Sequence, residues 1–324
     1  MKAWYINSPG PIESWQFGEL ERPSAQAGEL LVRVQAVALN PVDYKVTANG
    51  NPAWHYPHVP GVDLAGTVEL ASPDTGFQIG DRVAVHAYLA RDGAFAEYAV
   101  VDARAAGRIP DAVSFEEASA ILCAGMTAYQ AVIQELNTTD KETILIHAGA
   151  GGVGGFAIQL AKRLGLRVAT TASAANHDYV KKLGADLAID YSKEDVTERV
   201  REWTDGRGVD LILNTVGRDE ATADLGRLAF SGQLAFIAGG PDTSVVKPFT
   251  LAPSIHEVAL GAAHASKDET AIRNLARMAE RLMELVADDA LDPLIAEVLP
   301  AERLAEGLKQ VQGRHVRGKL IVTF

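Results

Sequence analysis

Thr143-Ile144-Leu145-Ile146-His147-Ala148-Gly149-Ala150-Gly151-Gly152-Val153-Gly154-Gly155 is a short apolar run that breaks into a cluster of glycines. An amphipathic stretch, Phe156 to Leu164, comes next and stops at Gly165. Strand, glycine turn and helix in that order predict a dinucleotide-binding turn with the spacing Gly149-x-Gly151-x-x-Gly154. Gly149 permits the tight turn, Gly151 lets the backbone approach a pyrophosphate, and Gly154 lets the helix close on the strand. The backbone N–H groups of the first helical turn, at Gly152 and Val153, face phosphate at the positive end of the helix dipole. The competing reading is a glycine-rich structural turn. Flanking strand and helix favour the nucleotide.

Outward from that turn, candidate strands at 143–147, 166–171, 186–189, 209–213, 232–237 and 256–260 alternate with helical segments. That alternation predicts a doubly wound parallel sheet, a Rossmann domain over 119–262. Residues 1–118 carry short strands divided by Pro, Gly and Asn, among them Leu30–Val37, Gly66–Leu70, Arg82–Val85 and Phe95–Val100. They predict a barrel-like or sandwiched β domain. Residues 263–324 hold a long helix from Glu269 to about Ala287, a strand near Ile295, a helix from Ala301 to about Val311 and a last strand, Gly318–Phe324. The six-strand sheet has no place for that last strand, so this segment is expected to return to the first domain.

A chain of 324 residues with 48% hydrophobic and 22% charged content reads as a soluble globular protein. No apolar run reaches membrane-spanning length, and Met1–Asn7 reads as a strand rather than a signal peptide, so a cytoplasmic protein is expected. One cysteine rules out an internal disulfide and a cysteine-rich zinc lobe. The formal charge of −12 opposes nucleic-acid binding, which rests on phosphate neutralisation.

NAD-selective turns place Asp or Glu at the end of the second strand, about 20 residues past the first glycine. Here the strand runs into Ala172-Ser173-Ala174-Ala175-Asn176-His177, with no carboxylate before Asp178. Ser173 can donate a hydrogen bond to a 2′-phosphate and His177 can add charge beside it. NADPH is therefore the expected cofactor. The plainer reading, Ser173 as cap of a helix over 174–183 and His177 on the surface, is compatible with it.

Six segments now stand in order: Asn40-Pro41-Val42-Asp43-Tyr44-Lys45, Pro60-Gly61-Val62-Asp63-Leu64-Ala65-Gly66, Gly80-Asp81-Arg82-Val83, Cys123-Ala124-Gly125-Met126-Thr127-Ala128-Tyr129, the glycine turn, and Arg317-Gly318-Lys319. Together they resemble the medium-chain dehydrogenase/reductase superfamily, in its zinc-independent NADPH:quinone oxidoreductase branch. The resemblance covers nearly the whole chain and implies a GroES-like catalytic domain beside the Rossmann domain. Zinc-dependent alcohol dehydrogenases of this superfamily take their catalytic ligands from Cys-x-x-Asp, Gly-His-Glu and Cys-Ala-Gly segments. Here the first two read Asn40-Pro41-Val42-Asp43 and Gly61-Val62-Asp63, so an amide and an alkyl group replace thiolate and imidazole. Only Cys123 survives, and no metal is expected; Cys123 reads as a small buried packing residue.

Without a Lewis acid an isolated carbonyl is a poor hydride acceptor. A quinone or an α,β-unsaturated carbonyl spreads the incoming charge over its conjugated oxygen. The resemblance implies the same acceptors. Asn40, Asp43 and Tyr44 are the catalytic candidates: Asn40 as a neutral hydrogen-bond donor to substrate or ribose, Asp43 as an orienting group, Tyr44 as a hydroxyl near the hydride-accepting end. Turn chemistry for Asn-Pro-x-Asp stays open beside that reading. The loop 49–58, with Trp54, His55 and Tyr56, is either an aromatic pocket or a surface loop pinned by its rings.

Position by position, the resemblance also implies that Thr127 touches the nicotinamide end, that Tyr191 lies beside the adenosine phosphate, and that Asn214 follows the fourth strand at the cofactor. Ala238, Gly239 and Gly240 allow close backbone approach after the fifth strand. Arg317 and Lys319 resemble terminal basic residues that reach cofactor phosphate. His86, His256, His264 and His315 have no ligand-like spacing and read as structural or solvated. A homodimer is expected through the edge of the sixth strand, Ile255–Leu260. Two alternatives remain: an enoyl-thioester or enal reductase of the same superfamily, and a non-catalytic NADPH-binding protein.

Overall fold

The computed structural model describes residues 1–314 and 316–324; His315 lies outside the described residues. They form two compact units, Met1–Met126 with Leu260–Phe324, and Thr127–Ala259. The first border falls later than residue 118. The segment after Ser114 is helical, through Phe115–Ala120 and Leu122–Met126, and packs on the strands of the first unit.

The first unit opens with β1 (Lys2–Tyr5), β2 (Gln16–Glu19), β3 (Glu29–Ala38), β4 (Asp63–Ala71), β5 (Arg82–His86), β6 (Tyr98–Asp102) and β7 (Ala106–Arg108). Its organising strand is β3, whose Leu30, Leu31, Val32, Val34 and Val37 are buried. Along one side β3 pairs antiparallel with β4, and on the other Glu29–Arg33 pairs antiparallel with β6. In the next pair, β4 with β5, Asp63 lies directly opposite His86. That register brings a carboxylate and an imidazole together from residues 23 apart in sequence.

The second unit contains β8 (Thr143–Ile146), β9 (Arg167–Thr171), β10 (Leu187–Ile189), β11 (Val209–Asn214), β12 (Leu228–Phe236) and β13 (Ser254–Glu257). All pair in parallel, in the order β10-β9-β8-β11-β12-β13. Counted within the unit this is 3-2-1-4-5-6, the doubly wound Rossmann order. The sheet is buried on both faces: Ile144, Leu145, Ile146, Leu211, Ile212 and Leu213 have no exposed surface. The sixth strand starts two residues earlier than 256 and ends at Glu257.

After the second unit the chain re-enters the first with β14 (Ile295–Pro300) and β15 (Lys319–Thr323). β15 pairs parallel with β14 and antiparallel with Ala36–Ala38 of β3, so β6 and β15 divide one side of that strand between them. The helix Glu269–Ala287 turns Ile272, Leu275, Met278, Ala279, Leu282, Met283 and Val286 inward, a helical stripe at intervals of three and four. It lies on β5 and β7 so closely that a Cβ on Gly107 would sit 3.1 Å from the Ala276 carbonyl oxygen.

Candidate active site

In the second unit the helix Gly152–Arg163 begins at Gly151 with no side chain capping it. Two of the turn's glycines serve different needs. A Cβ on Gly154 would stand 2.4 Å from the Ala148 carbonyl oxygen, so this residue must be glycine for helix and turn to close. A Cβ on Gly151 would meet only that oxygen, at an ordinary 3.4 Å. The fold does not require glycine there, and the space above Gly151 beside the uncapped N–H groups of Gly152 and Val153 fits a pyrophosphate.

Beyond β9, Ser173 is half-buried and its Oγ accepts from Asn176 Nδ2 at 3.2 Å. It does not cap a helix: a short turn, Ala174–Asn176, precedes the helix His177–Lys182. His177 Nε2 faces the Ala172 carbonyl at 3.3 Å. Tyr191, past β10, is 62% exposed, a free ring face suited to an adenine. Thr127 is buried in the first helical turn of the unit. Ala238, Gly239 and Gly240 follow β12, with Gly239 at φ 118°, a conformation that suits glycine.

Asn214 departs from expectation. It has no exposed surface, its Nδ2 donates to Asp224 Oδ2 at 2.7 Å, and its Oδ1 accepts from the N–H groups of Val216 and Gly217 at 3.0 and 3.1 Å. The amide shapes the loop after β11 and has no exposed surface to offer a ligand. Below it, Asp224 also binds His147 Nε2 at 2.9 Å and Arg227 Nη1 at 2.7 Å. Burial alone would raise the Asp224 carboxyl; His147, Arg227 and Asn214 outweigh it and hold the group below the usual carboxylate range. Sequence reasoning missed His147 and Asp224, which are 77 residues apart.

In the first unit Asn40, Asp63 and Cys123, one from each segment that carries zinc ligands in the resembling enzymes, converge around Asp63. The Asp63 carboxylate accepts from the Cys123 N–H at 3.0 and 3.1 Å, from Asn40 Nδ2 at 2.7 Å and from His86 Nδ1 at 3.0 Å. The wide helical turn Leu122–Met126 frees the Cys123 N–H for this bond. Asn40 is 2% exposed and fully engaged, with Nδ2 also on the Ala38 carbonyl and Oδ1 accepting from Lys319 Nζ at 2.5 Å. It therefore positions the loop rather than offering an amide to substrate.

Lys319 departs from expectation as well. Its ammonium is buried and also binds the Leu39 carbonyl at 3.0 Å, so it serves this cluster instead of a phosphate. Arg317, by contrast, is exposed.

Asn40 precedes the helix Pro41–Asn49, and its backbone N–H donates to Asp43 Oδ2 at 2.8 Å. Asp43 is buried and its Oδ1 has no hydrogen-bond partner among the described residues. Burial, and next the nearby Asp63, push the Asp43 carboxyl up to about 8. Tyr44, on the same helix, is half-buried, and its hydroxyl makes no hydrogen bond among the described residues. The loop 49–58 is pinned by Trp54, which is buried, stacks on His58 at 4.0 Å and donates Nε1 to the Leu89 carbonyl; Tyr56 stays exposed.

Asp63, His86 and Cys123 each bring one possible ligand atom within 4.8 Å of the others. They do not fit a zinc ion. Both Asp63 oxygens are already hydrogen-bonded, and burial, followed by Asp63, pushes the Cys123 thiol up, away from the thiolate zinc needs. Cys123 is itself only half-buried rather than fully packed away. The Lys319 ammonium, held through Asn40, already supplies positive charge here. A second trio, His147, Glu220 and Asp224, has Arg227 bonded to both of its carboxylates.

Residues 26–111 match the family described as alcohol dehydrogenase GroES-like domain, and residues 152–289 the family described as zinc-binding dehydrogenase. A quinone oxidoreductase of Pseudomonas aeruginosa is 37% identical over 222 residues, 67% of each chain. A 2-methylene-furan-3-one reductase of Solanum lycopersicum is 34% identical over 235 residues, 68% of this chain and 58% of that one. A mycobacterial protein solved in complex with NADPH superposes with a TM-score of 0.84 at 28% identity, covering all of both chains. The chain belongs to the medium-chain dehydrogenase/reductase superfamily, as an oxidoreductase with a GroES-like unit and a Rossmann unit.

Proposed function

We propose that the chain reduces quinones or α,β-unsaturated carbonyls with NADPH and without a metal. The observation that carries this reading is the saturated cluster around Asp63, which occupies the zinc-ligand segments with hydrogen bonds and a buried ammonium. With no Lewis acid in place, the acceptor must stabilise its own developing charge, and conjugated acceptors do so. A relative that reduces quinones and one that reduces a methylene-furanone support the same class.

NADPH is the hydride donor. Ser173 stands where NAD-selective turns carry an acid, and a structural neighbour binds NADPH. Gly151, Gly152 and Val153 hold its pyrophosphate, Tyr191 lies against its adenosine, and Ser173 and His177 meet its 2′-phosphate. Thr127 and the small residues Ala238 to Gly240 leave room for its nicotinamide end. The His147–Asp224–Asn214 network fixes the loop Thr215–Gly217 at the ends of β8 and β11. Tyr44, whose hydroxyl makes no hydrogen bond among the described residues, is the candidate for contact with the acceptor.

The test is NADPH oxidation by chelator-treated protein, with a simple quinone and an enone offered in parallel. Turnover that survives chelation is expected. Loss of turnover on chelation, or NADPH binding without turnover on either acceptor, overturns the reading.

The chain also has a template for self-association. β13 is the edge strand of the parallel sheet, and its outer backbone groups are available for pairing. A two-fold pairing of this edge gives a homodimer, and light scattering that finds a monomer refutes it. No helix among the described residues is long and apolar enough to cross a membrane.

A further inference from the structure

We propose that the first unit carries a further small-molecule site, a cavity between β5, β6 and the start of the helix Glu269–Ala287, whose ligand is a small organic carboxylate with an apolar body. The inference goes beyond the reductase reading and does not depend on it.

The cavity has a volume of about 330 Å³, and all of its lining belongs to the first unit. That volume lies at the lower end of the range for small-molecule pockets. Val85, Ala87, Val101 and Ile272 supply an apolar wall, and all four are buried. Successive side chains along a strand point to opposite faces. Val85 and Ala87 line the cavity, whereas His86 between them turns to Asp63. The cavity is thus backed by the face of β5 that the Asp63 cluster does not use.

Tyr88 and His264 form another part of the lining, their rings stacked at 5.3 Å. His264 Nε2 donates to the His86 carbonyl at 2.9 Å, which fixes the pair in place. Burial holds this imidazole below its usual range, so the ring is neutral and adds no charge. The Tyr88 hydroxyl makes no hydrogen bond among the described residues, which leaves it free to donate.

The acids of the lining are already matched. Arg104 holds Asp102 through Nε and Nη2, at 2.9 and 2.6 Å. Asp92 accepts from the Val59 N–H at 2.9 Å and lies 3.1 Å from His58 Nδ1. Burial would raise both carboxyls, but His58 beside Asp92 and Arg104 beside Asp102 outweigh it and hold them below the usual carboxylate range. The cavity therefore has no call for a cation.

Lys267 is the opposite case. It lies exposed on the cavity's rim, and its ammonium makes no hydrogen bond or ion pair among the described residues. The acids next to it in sequence are engaged elsewhere: Asp268 caps the helix by accepting from the Thr270 N–H at 2.8 Å, and Glu269 pairs with Arg273 at 2.7 Å. The Lys267 backbone is held at φ 60°, a left-handed conformation that lysine seldom adopts. Arg91 adds further N–H groups, having only Nη1 committed, to Glu29 at 2.6 Å. An unmatched ammonium and spare donors over an apolar wall select an anion that carries an apolar body. The size of the cavity limits that body to a single ring or a short chain.

The test titrates the full chain with 4-fluorobenzoate and its neutral counterpart 4-fluorobenzamide, read by fluorine NMR with and without NADPH. The benzoate should bind with a Kd of about 1 mM or tighter, and the amide about 10-fold more weakly. NADPH should displace neither. Lys267→Asn removes the charge at an exposed position and suits the left-handed backbone. It should weaken the benzoate about 10-fold and leave the amide unchanged. Val101→Phe fills the cavity and should abolish binding of both; should that variant not fold, Lys267→Asn decides alone. No binding of 4-fluorobenzoate, equal affinity for acid and amide, displacement by NADPH, or wild-type affinity in either folded variant overturns the assignment. Absence of reductase activity leaves these titrations unaffected, so the two readings fail separately.

Discussion

The Lys319 ammonium lies 2.5 Å from Oδ1 of Asn40, two buried residues 279 apart in sequence that join the last strand of the chain to the loop after β3. Through the Asn40 amide this charge is linked to Asp63, so a cation on the protein's own side chain supplies positive charge to the cluster. Lys319→Met removes that charge and leaves Asn40 Oδ1 and the Leu39 carbonyl without a donor. Deleting one member of such a buried network costs about 3–5 kcal/mol, and the melting temperature should fall accordingly. Retained stability would mean that the ammonium is dispensable and Asn40 is held by packing.

Asp43 gives the cluster a pH dependence of its own. In the folded chain it keeps its proton up to about 8, against an ordinary value of 3.8. Between those values the folded state binds the extra proton, so this contribution to stability is complete below the lower value and lost as pH rises through the upper one. Asp43→Asn keeps the shape and removes the titration. Its melting temperature relative to wild type should rise between about pH 5 and about pH 8. A constant difference across that window refutes a raised Asp43.

The glycine turn, the six alternating strands and the long helix from Glu269 were legible in sequence because each rests on local periodicity and turn chemistry. The Asp63 cluster was legible only in part. Asn40, Asp63 and Cys123 stand in recognisable segments, but His86 joins them through an antiparallel register that neither strand specifies by itself. Lys319 was misread because exposed and buried lysines look alike in sequence; only the pairing of β15 with β3 shows which this is. Asn214 was placed correctly at the end of β11, yet its duty depends on Asp224, a helix away.

Gly151 and Gly154 make separable demands within one turn. Gly154→Ala drives a Cβ to 2.4 Å from a backbone oxygen and should cost about 2–3 kcal/mol of stability. Gly151→Ala meets nothing closer than 3.4 Å, so its unfolding free energy should stay within about 0.5 kcal/mol of wild type. Its NADPH dissociation constant should nevertheless rise at least about 10-fold, because the methyl group enters the space reserved for the pyrophosphate. Equal NADPH affinity in Gly151→Ala would remove the argument that this space serves a ligand.

Cofactor choice turns on Ser173, the residue at the tip of β9 where NAD-selective enzymes carry an acid. Its hydroxyl accepts one bond from Asn176, which leaves its proton free to be donated. Ser173→Asp would place a negative charge against the 2′-phosphate of NADPH but opposite the 2′-hydroxyl of NADH. Like charges brought together at a binding surface cost several kcal/mol, so kcat/KM for NADPH should drop about 100-fold. The value for NADH should hold or improve, since a carboxylate accepts a ribose hydroxyl. Steady-state kinetics with both cofactors at fixed acceptor measure the switch. If the two values fall together, Ser173 supports the β9 turn and the choice of phosphate is made by other residues.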